Sequence, residues 1–539
     1  MKRLMLGNEA IARGLYEAGA SFVSSYPGTP STEITEFAAK YPEIHAEWAP
    51  NEKVAYESAF GASLAGARSA TAMKHVGLNV AADPLFTSAY TGINGGMVVI
   101  VADDPAMHSS QNEQDSRHYA RAAKLPMLEP SDSAECRDFT LAAFEISEKF
   151  DTPVLLRTCT RVAHAQNAVD ERERAEIPLR PYQKDARKYV MASGNAIHWH
   201  PVVEARLNAL REYSEACALN REEPGDRSIG FVCSGTCYLY IKEVFPNASV
   251  LKLGMTHPLP LAKISAFAEK VEKLIVVEEL DGVIESELRA AGIRVSGGKD
   301  LFSNLGELSQ AAIRRAMDMP QPESVSLGES IPPRPPVMCA GCPHRGVFYT
   351  LGKMKLTVLG DIGCYTLGAA APLGSLDTCV CMGASISSLH GFATVRPAER
   401  DRTVCVIGDS TFLHSGITSL TNVAYNQSRA TILILDNSIT GMTGHQQNPA
   451  TGFTLQMEAV PPVSLEAVGI RRVRVVDPGD LDALEAVLRE ELSADEASAI
   501  ICRRPCMLLK TAVVRPALSV DAEKCRGCKK CMGLGCPAI

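Results

Sequence analysis

The sequence lacks the features that would place it in several broad classes of protein. Its net charge of -8, from 54 basic and 62 acidic residues, provides no positive field, so we expect no nucleic-acid partner. The longest apolar stretch, residues 76–102, predicts no membrane span because it is interrupted by Asn79, Asp83, Pro84 and Asn94. The apolar start of the chain ends at Gly7, too early for a secretory leader, so we expect a cytoplasmic protein.

The chain does have ample apolar content and many cysteines. With 539 residues, of which 46% are hydrophobic, it predicts about three or four domains of roughly 150 residues each. Several of its 17 cysteines fall in Cys-x2-Cys spacings. In a cytosolic protein such spacings indicate metal binding or redox chemistry rather than disulfides.

Helix-period segments alternate with short β-branched runs along the chain. One helix is predicted from Asn8, as its N-cap, to a stop at Gly19. The clearest predicted strands are continuous apolar runs at residues 97–101, 229–232, 274–277, 404–407 and 432–435. Strands that are apolar on both faces predict parallel sheets covered by helices, and hence α/β domains.

Composition also predicts where the domains are divided. Residues 170–188 are charged and poor in strand signals, and residues 319–336 are rich in proline. A short, cysteine-dense tail follows Pro516.

Two polar side chains, Asp409 and Asn437, each follow a predicted strand, at the sheet edge where open α/β folds bind ligands. Carboxylate, carboxamide and carbonyl oxygens suit Mg²⁺, whose other positions can be filled by diphosphate and water. The spacing matches the thiamine diphosphate motif, GDG followed by NN, which would make Asn437 and the carbonyl of Ile439 ligands. Ser410 after Gly408-Asp409 and Asp436 before Asn437 depart from the motif, and simple turn residues are the alternative.

Thiamine chemistry also needs a carboxylic acid facing the pyrimidine ring, so that the ring's amino group can take the proton from the reactive carbon. Residues 50–63 resemble the segment that carries this acid at the start of a helix of small residues, with Glu52 in the catalytic place. Glu57 is the rival carboxylate. A helix N-terminal carboxylate favoured only by the macrodipole is the non-catalytic alternative.

The chain resembles the 2-oxoacid:ferredoxin oxidoreductases essentially from end to end. The resemblance is carried by the cysteine tail and by residues 25–34, 51–55, 110–117, 339–345 and 360–364. It implies that Thr29 lies near the substrate carboxylate, that Arg117 pairs with that carboxylate and that His344 contacts diphosphate or substrate. An ordinary turn, a surface arginine and a structural histidine are the respective alternatives.

The resemblance also implies a fold. We expect several doubly wound α/β domains with mostly parallel sheets of the thiamine-enzyme type. They comprise a pyrimidine-binding domain over residues 1–168, a transketolase-C-like domain over 190–318 and a diphosphate-binding domain over 335–515. A partial ferredoxin-like iron–sulfur segment would occupy residues 517–539. Because thiamine sites of this type usually draw on two subunits, at least a dimer is implied.

Two groups of cysteines are candidates for electron transfer. Cys525, Cys528, Cys531 and Cys536, followed by proline, have the spacing of [4Fe-4S] ligands and fit zinc ribbons poorly. The second group, which resembles the ligands of a cluster near thiamine, comprises Cys339, Cys342, Cys364 and either Cys502 or Cys506. The alternative for this second group is simple packing of buried thiols. Cys159, Cys233, Cys237, Cys379, Cys381 and Cys405 are interpreted as structural.

The resemblance implies that arylpyruvates such as indolepyruvate, phenylpyruvate and hydroxyphenylpyruvate are decarboxylated and oxidised with coenzyme A to aryl-acetyl-CoA. The electrons would pass to ferredoxin, and a smaller beta subunit would complete a heterotetramer with two copies of each chain. Two alternatives stay open. A non-oxidative thiamine-dependent decarboxylase or acetolactate-synthase-like lyase would have no use for the cysteine tail. A non-catalytic electron-transfer subunit would not bind thiamine diphosphate.

Overall fold

The computed structural model describes residues 2–323, 325, 328–464, 470–510, 512 and 519–539. Pro516 and residues 517–518, at the start of the predicted tail, lie outside the described residues, as do parts of the proline-rich stretch 319–336. The chain forms two compact units, unit 1 over residues 1–326 and unit 2 over residues 327–539.

Unit 1 contains the strands β1 to β13. In chain order they are Lys2–Leu6, Phe22–Ser25, His45–Trp48, Ser69–Lys74, Met97–Asp103, Met127–Leu128, Val154–Cys159, Gln166–Asp170, Arg221–Glu223, Asp226–Ser234, Ala248–Leu253, Met255–His257 and Leu274–Val277.

The helices of unit 1 are α1 to α14, and a short 3-10 turn spans Pro105–Met107. In chain order the helices are Gly7–Glu17, Thr32–Ala38, Glu52–Leu64, His75–Val80, Ala82–Thr91, Arg117–Ala123, Ser133–Phe150, Thr160–His164, Ala186–Tyr189, Ser193–Ala216, Gly235–Val244, Leu261–Ala268, Val283–Ala290 and Gln310–Ala316.

Two α/β sheets organise unit 1. The larger is a seven-stranded sheet in the order β12-β6-β7-β5-β4-β2-β3, parallel except at β12, and the smaller has the order β13-β10-β11-β9. β4 and β5 are buried at every residue, as expected for strands covered by helices on both faces. The predicted strands 97–101, 229–232 and 274–277 are confirmed as parts of β5, β10 and β13.

The predicted N-terminus of helix α1 is wrong by two residues, and its cap is misassigned. The N-cap is Leu6, and Asn8 lies inside the helix. The Asn8 side chain is buried and donates hydrogen bonds to the Pro30 carbonyl at 2.7 Å and to Glu33 at 2.8 Å. A tertiary contact therefore uses the side chain that the local pattern assigned to capping. The predicted stop is confirmed, because Gly19 adopts a φ of +73° just after the helix.

Unit 2 contains one six-stranded sheet. Its strands β14 to β19 are Thr357–Gly360, Thr378–Cys379, Thr403–Gly408, Thr431–Asp436, Arg472–Val476 and Ser498–Arg503. Its helices α15 to α19 are His344–Met354, Ala384–Val395, Asp409–Thr411, Ile417–Tyr425 and Leu481–Leu492, and a π-helical turn, Phe412–Gly416, joins α17 to α18.

The sheet of unit 2 is parallel throughout, in the order β15-β14-β16-β17-β19-β18. The predicted strands 404–407 and 432–435 are confirmed as parts of β16 and β17, and every residue of both strands is buried. Both units are therefore α/β, as predicted. Among the residues that the structure describes, none of the helices combines the length and apolar content that crossing a membrane requires.

A buried ionic cluster lies within unit 1, where β5, β7 and the residues after β13 come together. Arg117 and Arg157 form ion pairs there with Asp103, Asp115, Glu129 and Glu278. Glu279, beside this cluster, accepts hydrogen bonds from the Leu308 amide at 3.1 and 3.2 Å. Burial, followed by the negative charge of Glu307, raises the pKa of Glu279 to about 7.

This raised pKa predicts a pH-dependent stability. The folded protein holds the Glu279 proton more tightly than the unfolded chain, whose glutamate pKa is about 4.5, so stability falls as the pH rises from about 4.5 to about 7. Between about pH 5 and about pH 8 the free energy of unfolding of the wild type should fall by on the order of 3 kcal/mol because of Glu279. We expect this fall to be absent in Glu279→Gln. Thermal and urea unfolding across this range would measure it, with Glu57→Gln, at an exposed glutamate, as the control. Identical pH profiles for the wild type and Glu279→Gln would contradict the prediction.

Candidate functional site

Unit 1 places a buried carboxylate at the carboxyl edge of its large sheet. Glu52 is the first residue of α3, directly after β3, and its residue is 5% exposed. The preceding Asn51 is the N-cap and accepts a hydrogen bond from the Val54 amide at 2.9 Å. A methyl group added at Gly77 would lie 2.5 Å from Oε1 of Glu52, so helix α4, which follows β4, packs directly on this carboxylate.

The rival Glu57 has a different environment. Its side chain is 46% exposed and pairs with Lys53 on the outer face of α3. A carboxylate that acts on a heterocycle must be shielded from bulk water. Glu52 is thus the buried carboxylate of the two, and Glu57 the exposed one.

Thr29 lies at the same edge, in the loop between β2 and α2. Its peptide bond to Pro30 is cis. The Ser31 hydroxyl donates to the Gly28 carbonyl at 2.8 Å and closes the loop. Because β2 and β3 are parallel neighbours, the residues that follow them, Thr29 and Glu52, come to the same side of the sheet.

Arg117 lies inside unit 1, in the buried ionic cluster. Its side chain is 2% exposed, and its guanidinium nitrogens donate to Asp115 at 2.6 Å, to Glu278 at 2.6 Å and to the carbonyls of Glu279 and Asp281. These contacts explain Arg117 as a structural residue of the buried ionic cluster. A guanidinium engaged in this way has no exposed pair of N–H donors for a substrate carboxylate. Arg117 is therefore not part of the proposed site.

Unit 2 brings Asp409 and Asn437 to one edge of its sheet. β16 and β17 pair in parallel with Gly408 opposite Leu435, so the residues that follow each strand are neighbours. Asp409 is buried, and burial, followed by the negative charge of Asp436, raises the pKa of Asp409 to about 7. Its Oδ2 accepts a hydrogen bond from Asn448 at 3.3 Å. Ionising a carboxylate that is buried in this way costs free energy, and a bound cation would offset that cost.

The Asn437 carboxamide is held on both sides. Its Nδ2 donates to Nε2 of His344 at 3.4 Å, and its Oδ1 accepts from the Ile439 amide at 3.2 Å. His344 is buried, and this burial lowers the pKa of its imidazole to about 4, so the ring is neutral and can accept. His344 thus contacts the amide nitrogen of the Asn437 side chain.

Both departures from the motif have a structural explanation. Asp436 accepts hydrogen bonds from the amide and hydroxyl of Ser438 and pairs with Arg503 at 2.7 Å. These bonds hold Ser438 at a φ of +59°, which turns the chain between Asn437 and Ile439. The Ser410 hydroxyl accepts from Thr440 at 2.9 Å and ties the turn after β16 to the loop after β17.

Sequence reasoning did not single out Asp361, Asn448 or His414. Asp361 follows β14 and accepts hydrogen bonds from the amides of Gly383 and Ser385, at 2.9 and 3.0 Å, at the start of α16. Asn448 links Asp409 to Thr440. His414 is buried within the π-helical turn that follows Asp409. A π-turn is often found at a functional site, but no sequence pattern marked this one.

The cysteines of unit 2 divide by environment. Cys339 and Cys506 lie close enough to Cys342 and Cys364 that their charges add to burial in raising the pKa of both thiols. Cys502 instead lies in the core of β19, where burial raises its pKa to about 12. The structure therefore favours Cys506 over Cys502 as the fourth member of this group.

The remaining cysteines show further differences. Cys233, Cys237 and Cys405 are buried in hydrophobic clusters, in line with a structural role, whereas Cys379 and Cys381 are exposed. In the tail, Cys525, Cys528 and Cys531 are exposed as well. Within the described ranges, no three His, Cys, Asp or Glu side chains gather closely enough to hold a metal ion. The iron–sulfur assignments therefore rest on the cysteine spacing and on the resemblance, with the structure contributing only the choice of Cys506 over Cys502.

The contact between Gly77 and Glu52 predicts an effect on stability. In Gly77→Ala the added methyl must displace the Glu52 side chain or the start of α4, and we expect a loss of about 1–3 kcal/mol in the free energy of unfolding. The control is Gly61→Ala in α3, where an added methyl meets nothing within 4 Å. That change should stabilise the protein by about 0.5–1 kcal/mol, as expected for glycine in a helix. Urea unfolding measures both, and equal effects would contradict the prediction.

Two family models match the chain. The model described as pyruvate flavodoxin/ferredoxin oxidoreductase, thiamine diphosphate-binding, matches residues 13–216 and includes Thr29 and Glu52. The model described as thiamine pyrophosphate enzyme, C-terminal TPP binding domain, matches residues 361–502 and includes Asp409 and Asn437.

Several known proteins are similar to the chain. Indolepyruvate oxidoreductase subunit IorA of Archaeoglobus fulgidus is 39% identical over 100% of this chain and 92% of its own length. The IorA subunit of Thermococcus kodakarensis is 38% identical over 99% of this chain and 92% of its own length. Among solved structures, the 2-oxoglutarate:ferredoxin oxidoreductase from Magnetococcus marinus aligns with 59% of this chain and 65% of its own, with a TM-score of 0.49 and 17% identity.

Full-length similarity to the IorA subunits and the two thiamine-binding matches point to the same family. The chain belongs to the indolepyruvate oxidoreductase subunit IorA family, within the thiamine-diphosphate-dependent 2-oxoacid:ferredoxin oxidoreductases.

Proposed function

We propose that this chain is the thiamine-binding subunit of an enzyme that decarboxylates and oxidises arylpyruvates with coenzyme A, giving aryl-acetyl-CoA, CO2 and reduced ferredoxin. The observation that carries the proposal is the presence, in one chain, of a buried strand-edge glutamate and a buried set of oxygen donors. These are Glu52 in unit 1 and the Asp409–Asn437 pair in unit 2. The IorA name of relatives at 37–39% identity supports the choice of substrate.

Mg²⁺ and the diphosphate are assigned to unit 2. We propose the Asp409 carboxylate, the Asn437 carboxamide oxygen and the Ile439 carbonyl as the protein ligands of Mg²⁺, with Gly408 and Ser410 beside the diphosphate. These donors are all hard oxygens, which Mg²⁺ prefers. The raised pKa of the buried Asp409 supports the assignment, because the carboxylate lies where a cation would offset its desolvation.

His344 is assigned a positioning role in place of direct contact with substrate. By accepting the Asn437 amide hydrogen, it fixes which end of the carboxamide is oxygen, and that oxygen is the proposed ligand. Its neutral ring suits this role, since an imidazolium has no acceptor.

Glu52 is the proposed acid–base group of the reaction. Bound thiamine diphosphate would supply a carbon nucleophile and an electron sink. Glu52 would hydrogen-bond the pyrimidine ring and exchange a proton with it, and its burial on Gly77 excludes water from that exchange. Thr29 is proposed beside the substrate carboxylate. The resemblance implies that two copies of the chain contribute the two halves of each site, in a heterotetramer with a smaller beta subunit.

The electron path stays a proposal drawn from cysteine spacing. The tail group Cys525, Cys528, Cys531 and Cys536 is proposed for a [4Fe-4S] cluster, and the Cys339–Cys342–Cys364–Cys506 group for a second. The described side chains are not gathered for either cluster, so no step of the reaction is routed through them. We also propose a cytoplasmic location, in line with the many cysteines in metal-binding spacings. The division into four domains likewise stays a prediction.

The role of Glu52 can be tested by removing its acidity. We expect Glu52→Gln to lower turnover of the 2-oxoacid by about 100-fold or more, because proton transfer to the ring is lost while the side chain keeps its size. Binding of thiamine diphosphate with Mg²⁺ should stay within about threefold, since the proposed diphosphate site lies in unit 2. Dye reduction and calorimetry would measure the two quantities.

Glu57→Gln is the matched control, at an exposed carboxylate on the same helix. It should leave turnover unchanged. Retained activity in Glu52→Gln would move the acid–base role elsewhere. Failure of the wild type to bind thiamine diphosphate would favour a non-catalytic subunit.

Substrate preference requires the complete enzyme. Reconstituted anaerobically with its small subunit, the protein should reduce dye with indolepyruvate and phenylpyruvate at a kcat/KM about 100-fold above that with pyruvate, because an aryl group adds apolar area for binding. Equal or better use of pyruvate would overturn the aryl assignment. Release of aldehyde without electron transfer would favour a non-oxidative decarboxylase.

A further inference from the structure

Lys74 is the last residue of β4, a central strand of the large sheet in unit 1, and it lies beside the Thr29 loop. A methyl group added at Gly28 would lie 3.3 Å from Cβ of Lys74. β4 pairs in parallel with β2, the strand that leads into this loop. Lys74 therefore reaches the sheet edge one strand away from the proposed position of the substrate carboxylate.

Lys74 and the helix that follows it, α4, contact the Thr29 loop, Glu52 and the loop after β5. Lys74 touches Gly28, and Gly77 packs on the Glu52 carboxylate. The Lys74 ammonium group donates to the Ser109 carbonyl, and the His75 ring contacts the Asn112 carbonyl at 3.3 Å. Lys74 thus lies where the Thr29 loop, Glu52 and the loop after β5 come together.

Lys74 also differs from the other buried cations described in unit 1, because it has no carboxylate partner. Unit 1 has six buried Lys and Arg residues among those described, and Lys74 is 8% exposed. The other five have a carboxylate oxygen within 4.0 Å; they are Arg117, Arg137, Arg157, Arg206 and Lys252. Among these six buried cations, which all lie in the described part of unit 1, Lys74 alone has no carboxylate oxygen within 4.0 Å.

The negative charge that acts on Lys74 belongs to Asp104, whose carboxylate already accepts three hydrogen bonds. Its oxygens accept from the Ser109 amide at 2.8 Å, the Ser110 hydroxyl at 2.6 Å and the Thr160 hydroxyl at 2.7 Å. Burial lowers the pKa of Lys74, and the Asp104 charge only partly opposes this. A buried ammonium group that has one carbonyl acceptor and no ion pair carries a desolvation cost that a bound anion would offset.

We propose that Lys74 binds the carboxylate of the 2-oxoacid substrate. The inference rests on the proposed function, and it assigns to Lys74 the role that the resemblance implied for Arg117. An ammonium group is a compact point charge with three donors, so Lys74 can keep the Ser109 carbonyl and still bind a carboxylate oxygen. Thr29, in the adjacent loop, would provide a neutral hydroxyl donor.

A purely structural role, in which Lys74 only holds the loop at Ser109, makes a different prediction. In that case its loss would disturb the loop, the Glu52 environment and cofactor binding together. A carboxylate-binding role affects substrate affinity first. The split between KM and kcat separates the two roles, provided that cofactor binding is measured in parallel.

The test uses the full chain with its small subunit, loaded with thiamine diphosphate and Mg²⁺, and phenylpyruvate as substrate. We expect Lys74→Met to raise KM by about 100-fold, as for loss of one partner of a buried charge pair, while kcat falls by less than about tenfold. The dissociation constant of thiamine diphosphate should change by less than about threefold. Lys74→Arg, which keeps the charge, should hold KM within about tenfold of the wild type.

Lys53→Met is the matched control, since Lys53 is an exposed lysine on α3 paired with Glu57. Its KM should equal that of the wild type. An unchanged KM in Lys74→Met would overturn the inference, as would a joint loss of kcat and cofactor affinity that Lys74→Arg does not rescue. If Lys74→Met fails to fold, Lys74→Gln against Lys74→Arg gives the same comparison. A wild type that binds no cofactor, or does not turn over phenylpyruvate, would instead count against the proposed function.

Discussion

The geometry of parallel strands is the constraint on which both halves of the proposed site depend. In a parallel sheet all strands end at one edge, so side chains that follow successive strands become neighbours however far apart they lie in sequence. In unit 1 this edge collects Thr29 after β2, Glu52 after β3 and Lys74 at the end of β4. In unit 2 it collects Asp409 after β16 and Asn437 after β17. Because both faces of each sheet are covered, the edge is the place where polar groups can reach a ligand.

The strands and the edge residues were predictable because their signals are local. A continuous apolar run such as 404–407 needs no information from elsewhere in the chain, and neither does an aspartate that follows it. Arg117 could not be judged in this way, since its partner Glu278 lies 161 residues further on. Asn8 was misassigned as a cap for the same reason, because it bonds to Pro30 and Glu33.

The chemistry of the edge residues was less predictable than their positions. The sequence spacing did not distinguish Cys502 from Cys506. The structure does, because Cys502 lies in the core and Cys506 lies near Cys364. His344 was expected at the substrate or diphosphate, and its contact with Asn437 is one that no sequence signal indicated. Lys74 carried no motif. Its distinguishing feature is that it has no ion pair with any residue that the structure describes. A missing ion pair cannot be predicted from sequence, because the partners of a buried side chain come from distant parts of the chain.

The loop after β19 extends the pairing of β17 and β19 beyond the last residues of both strands. The Arg504 amide donates to the Asp436 carbonyl at 3.0 Å, and the Cys506 amide donates to the Asn437 carbonyl at 2.9 Å. The backbone that presents Asn437 is therefore hydrogen-bonded to the backbone that presents the Cys506 thiol. The two turns are thus linked through main-chain atoms alone, so this link does not depend on which side chains the turns carry.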